Sequence, residues 1–181
     1  MRALTWLFLI GLSFSTHAAD LTGKEIEAWL NSINAIQTWL MGKEEKMPDG
    51  EPPSDPYDME QAIQYSINLL KKAGLYTEFE QQLKTAGYAN VDSWAQLSTR
   101  ISLAYMALEQ EAEPVTRAQI QEQIQAVNGL SIPTEGKASL QQMLTSSLKM
   151  LDRIEAVSAA DKAAAHPYFE RLQEQMGENH D

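Results

Sequence analysis

No cysteine occurs anywhere in this chain. That absence excludes disulfide staples, thiolate metal sites, thiol nucleophiles and redox motifs together, so stability must come from buried apolar surface. Histidine is nearly as scarce, with three residues at His17, His166 and His180. His17 lies in the leader described below and His180 adjoins the end of the sequence, which leaves His166. A lone imidazole next to Pro167 fits a helix end better than a catalytic pair. G-x-S-x-G, H-E-x-x-H, P-loop and G-x-G-x-x-G patterns are all missing, and each of those chemistries depends on its spacing. No asparagine opens an Asn-x-Ser/Thr sequon. Period-two alternation of useful length is also absent, so no strand is expected.

Positive charge is in short supply: 14 Lys and Arg face 25 Asp and Glu, a formal net charge of −11. Such a surface repels phosphate backbones and anionic lipid, so no nucleic-acid partner is expected and a membrane-surface role is disfavoured.

The most distinctive stretch that is present opens the chain. Arg2 supplies a basic n-region, Leu4 to Leu12 an apolar h-region, and Thr16-His17-Ala18 places small residues at the −3 and −1 positions of a cleavage site. This arrangement predicts a secretory signal peptide over residues 1–18, cleaved after Ala18, and it is too short for a transmembrane span. With neither cysteine nor sequon, the expected destination is a Gram-negative periplasm, with no membrane insertion after cleavage.

Residues 19–181 read as one all-α domain of six or seven short helices with no sheet. Thr22 and Glu25 form a capping box behind a Leu21–Ile26 staple, and Ile26, Trp29, Leu30, Ile33, Ile36 and Leu40 continue the stripe. From Lys43 to Pro56 prolines and acids predict a solvated acidic loop. Six acidic residues fall between Glu44 and Asp58, yet no D-x-[DN]-x-[DN]-G ladder exists, so no metal site is expected there. A second helix carries Met59, Ile63, Ile67 and Leu70 and closes at Ala73-Gly74. A third carries Phe79 and Leu83, with Thr77 and Glu80 as its box, and closes at Ala86-Gly87. The fourth is expected from an Asp92 cap to about Ala112, with Trp94, Leu97, Ile101, Tyr105 and Leu108 on its main face. Thr116 and Gln119 box the fifth helix, and the sixth starts near Pro133 or Thr134. Ser158 and Asp161 cap a terminal segment that Pro167 must kink, leaving Phe169, Leu172 and Met176 as a docking face.

The pattern [Leu/Val]-[Thr/Ser]-x-x-[Glu/Gln/Asp] at Leu21–Glu25, Val115–Gln119 and Val157–Asp161 resembles the L-T-x-x-Q repeats of small helical stress chaperones of the bacterial periplasm. A staple joined to a capping box writes the same letters in any helical protein. The proline-rich loop and kinked tail depart from that family, so no family is assigned on this pattern.

Candidate functional residues are therefore contacts rather than catalysts, and no catalytic residue, metal ligand or cofactor is expected. Trp29, Trp39, Tyr65, Tyr76, Phe79 and Trp94 are the aromatics able to line a pocket. Trp39 is the most suggestive, at the edge of its stripe beside the acidic loop, and Met47 in that loop is an adaptable apolar group. Leu103 and Met106 fall off the fourth helix's main face. Either that helix is central to the domain, or the two belong to a partner patch. The reading is a periplasmic binding or accessory protein for a protein partner or an apolar ligand. Paired carboxylates also need no histidine, so a small enzyme acting on cell-wall glycans is the alternative.

Overall fold

The computed structural model describes residues 20–50, 53, 55 and 58–177. The expected leader and its cleavage site lie outside them. Every regular element among the described residues is helical: α1 (Gly23–Met41), α2 (Met59–Lys72), α3 (Tyr76–Thr85), α4 (Val91–Ala112), α5 (Arg117–Asn128), α6 (Thr134–Glu155), α7 (Ala159–Ala165) and α8 (Phe169–Gly177). A 3-10 turn at His166–Tyr168 joins α7 directly to α8, so the last two are one helix bent at Pro167, where the ring cannot accommodate an interior helical turn.

Local chemistry sets most of the boundaries. Thr22 accepts from the Glu25 amide while the Glu25 carboxylate accepts from the Thr22 amide, and Thr116 and Gln119 repeat the arrangement at α5. These are the boxes expected from the letters. Two starts differ from expectation. The cap of α4 is Asn90, boxed with Ser93. Asp92 sits one step inside, where a helix N-terminus favours its charge. Thr77 lies within α3 and caps nothing, because the helix begins at once behind Leu75. The cause is the turn before it. Gly74 has φ +69°, and the amides of Leu75 and Gly74 reach back to the carbonyls of Leu70 and Lys71 at 2.8 and 3.1 Å. This Schellman closure leaves no residue free to act as a side-chain cap. Gly87, at φ +94°, repeats it after α3.

Two apolar clusters share α1 and α4. The first joins Ile26, Trp29, Leu30 and Ile33 of α1 to Ile101, Ala104, Tyr105 and Leu108 of α4 and to Ala165 and Leu172 of the bent C-terminal helix. The second joins Ile36 to Ile67 and Leu70 of α2, Phe79 and Leu83 of α3, and Val91. Trp94 packs against both. α5 and α6 form a hairpin that rests on α4 through α6. Asp161 ties the ends of the chain together: it accepts from the Leu21 amide at 2.7 Å and from Arg100 at 2.8 and 3.1 Å.

The acidic loop is less free than its composition implies. Glu44–Lys46 forms a 3-10 turn, Met47 packs against the second cluster, and Lys43 pairs with Glu78 at 2.7 Å. A Cβ placed on Gly50 would come 2.6 Å from the Tyr65 hydroxyl, so the loop backbone lies directly on α2. The Met47 thioether and ion pairs from Lys43 to Glu78 and from Asp55 to Lys149 anchor a segment whose prolines and acids predicted a detached one.

Candidate functional site

A concavity of about 520 Å³ opens as a cleft between α2 and α4. Such a volume falls in the range of small-molecule sites, roughly 300–1,000 Å³. Ile63 and Ile67 line it from α2, Trp94 and Ala95 from α4, and Phe79 and Met47, which belong to the second cluster and its margin, complete an aromatic and thioether part of the lining. The two walls meet mainly where Val91 and Trp94 join Ile67 and Leu70 in the second cluster; otherwise α2 packs chiefly on α3, and α4 on α1, α3, α6, α7 and α8. The gap follows from side-chain size. Ala95, Ser98, Thr99 and Ser102 of α4 and Ala62 and Ser66 of α2 face the opening, and these short groups cannot bridge two helix surfaces.

The aromatic end is held from behind. The Trp39 and Phe79 rings meet at a tilt of 30° with centroids 5.6 Å apart, and Phe79 meets Trp94 nearly edge-on at 5.7 Å. Trp39 donates its Nε1 hydrogen to Glu78 at 3.1 Å, and Lys43 lies 5.5 Å from the centre of the Trp39 ring. Hydrogen bonds from Lys43 and then Trp39 hold the Glu78 carboxyl below the ordinary glutamate range. A general acid requires the opposite direction. Ser98 on the α4 wall accepts from Trp29 Nε1 at 2.8 Å. Trp94 differs: its Nε1 is buried and has no hydrogen-bond partner among the described residues, a condition that costs about 1–3 kcal/mol.

A polar lip extends the cleft. Met59, Ile63, Ala95 and Thr99 line both the apolar stretch and a neighbouring hollow of about 460 Å³ that adds Glu60, Gln64, Asp92, Gln96, Arg100 and Arg153. Arg100 is paired with Asp161 at 2.8 Å. Arg153, half-buried on α6, forms no ion pair among the described residues.

The structure separates the contact residues named from sequence. Met47 lines the cleft and Trp39 supports it from outside. Leu103 and Met106 are elsewhere on α4, both half-buried, with Met106 packed on the first cluster and Leu103 part of neither. Phe79 and Trp94, named among the aromatics, are at the cleft itself. Its short side chains were passed over because a search for apolar stripes discards alanine and serine. The spacing Ala95, Ser98, Ser102 was the available signal. His166 is exposed at the bend. No group of three or more His, Asp and Glu able to hold a metal occurs among the described residues, and no described helix is long and apolar enough to cross a membrane.

Compared with known proteins, the chain matches no family model, no curated protein and no solved structure. Its function must be argued from the cleft.

Proposed function

We propose that this chain is an exported, non-enzymatic binding protein that holds an apolar ligand in the α2–α4 cleft. The observation that carries the reading is an open, apolar-walled cleft whose aromatic end is braced by Trp39, Phe79 and Trp94. Apolar lining with a few placed polar groups is what small-ligand sites share, and the ring contacts among Trp39, Phe79 and Trp94 keep the walls preorganised. Met47 adds an adaptable thioether beside them. The leader at residues 1–18 belongs to the same proposal, delivering the mature chain to the periplasm after cleavage behind Ala18. Glu60 and Asp92, the acids at the lip, are exposed, which favours binding over the glycan-cleaving alternative, since a general acid needs a desolvated carboxyl.

The test is N-phenyl-1-naphthylamine titrated into the mature protein. One saturable site is expected, with Ala62→Trp abolishing it by filling the cleft while the far-UV dichroism spectrum is retained. Unsaturable binding, or an A62W protein that binds as well as the parent, would refute the cleft as the site. A polypeptide whose intact mass still includes residues 1–18 after export would refute the processing step.

A further inference from the structure

Resting on the apolar-ligand reading, we infer that the occupant is a single-chain fatty acid, its hydrocarbon chain lying along Ile63, Ile67 and Trp94 and its carboxylate at the Arg153 guanidinium. Three observations combine. First, the apolar stretch and the polar lip are continuous through Met59, Ile63, Ala95 and Thr99, so one elongated ligand can occupy both. Second, the lip's cations differ in state. Arg100 is engaged by Asp161, as Arg117 is by Asp152 and Glu155. Arg153 is half-buried with no ion pair among the described residues, in a chain where acids outnumber cations 25 to 14. A guanidinium on a half-buried side chain that lines the same hollow as Met59 and Ile63 is a binding partner for a planar anion, which it can hold through two parallel hydrogen bonds. Third, the acids on the same lip set the charge the head can carry. Glu60 and Asp92 are exposed and remain solvated, and they repel a doubly charged phosphate more strongly than a singly charged carboxylate. A long apolar chain with one compact monoanionic head satisfies all three.

The experiment displaces N-phenyl-1-naphthylamine from the mature protein at neutral pH with dodecanoate, dodecanol and dodecyl phosphate. Dodecanoate is expected to displace best. Arg153→Gln is expected to weaken dodecanoate about tenfold, the loss of one charge-assisted pair, and to leave dodecanol unchanged. Arg153→Lys should fall between, since a point charge lacks the fork. Arg153 holds no ion pair, so the variant's thermal midpoint serves as the control for folding and should match the parent's. Equal displacement by dodecanoate and dodecanol, unaffected by R153Q, would overturn the head-group assignment and leave the apolar cleft standing. Tighter binding of dodecyl phosphate would overturn the carboxylate in favour of a phosphate head. Failure of the naphthylamine probe to bind, or a dimer in sedimentation velocity that excludes it, would overturn the cleft reading itself.

Discussion

Replacing Asp161 by alanine is the sharpest test of how this fold is closed. Its carboxylate accepts from the Leu21 amide at 2.7 Å and from Arg100 Nη2 at 2.8 and 3.1 Å. These contacts join the segment ahead of α1, the middle of α4 and the start of α7, positions up to 140 residues apart. The side chain is 15% exposed and that of Arg100 is 30% exposed, so solvent replaces the lost partner poorly at one end and partly at the other. Hydrogen bonds to a charged group contribute about 1.5–3 kcal/mol each, and an unpaired half-buried charge adds a penalty. Discounting the guanidinium side for its exposure gives about 2–4 kcal/mol lost in D161A. Asp161→Asn keeps an acceptor for the Leu21 amide and should lose about half of that. Urea unfolding followed by far-UV dichroism reads the change as a lower midpoint at an unchanged slope. A double-mutant cycle with Arg100→Gln should return a coupling of about 0.5–3 kcal/mol. A loss within about 0.5 kcal/mol, the range of ordinary surface substitutions, would refute the claim that this carboxylate holds the chain's ends together.

Three further expectations follow from packing and charge. Ile101 is fully buried and Leu103 half-buried on the same helix, so Ile101→Ala should cost about 2–5 kcal/mol and Leu103→Ala about half as much by urea unfolding. Equal losses would place Leu103 in the core. Trp94→Phe removes a buried indole N–H with no partner and should be neutral or stabilising by up to ~1 kcal/mol, whereas Trp29→Phe loses the bond to Ser98 and should cost about 0.5–1.5 kcal/mol. The reverse order in thermal unfolding would mean that Trp94 has an acceptor. Because Lys43 and Trp39 lower the Glu78 carboxyl's pKa, the contact is present above the ordinary glutamate range and is lost only as pH falls through the lowered value. Trp39 emission, isolated in a protein lacking residues 1–18 (and so Trp6) with Trp29→Phe and Trp94→Phe, should therefore titrate with a midpoint below 4.5, the ordinary value. A midpoint at or above it would show that the ion pair does not form in solution.

Sequence by itself determined the class of this fold and most of its punctuation, because those are decided within a few residues. The Thr22–Glu25 and Thr116–Gln119 boxes, the glycine closures at Gly74 and Gly87, the bend at Pro167 and the burial of Ile26, Ile101 and Leu172 each depend on local hydrogen bonding or on helical period. The errors at Thr77 and Asp92 were also local. At α4 two capping side chains, Asn90 and Asp92, lay within reach and the Asn90 box decided between them, whereas at α3 the Schellman turn at Leu75 started the helix ahead of Thr77 with no side-chain cap. Tertiary structure alone decided what the helices leave open. Apolar periodicity marks the faces that α2 and α4 turn inward but does not say whether those faces meet. Beside their shared cluster a cleft remains, lined in part by Ala62 and Ser66 of α2 and by Ala95, Ser98 and Ser102 of α4, groups short enough to leave space between the helices. The same holds for charge. Nothing in the letters distinguishes Arg153 from Arg100 or Arg117, since pairing depends on which carboxylate another helix carries to within 4 Å. Asp161, read from sequence as a cap, became the tie between both ends of the chain only when α7 folded back onto α1 and α4.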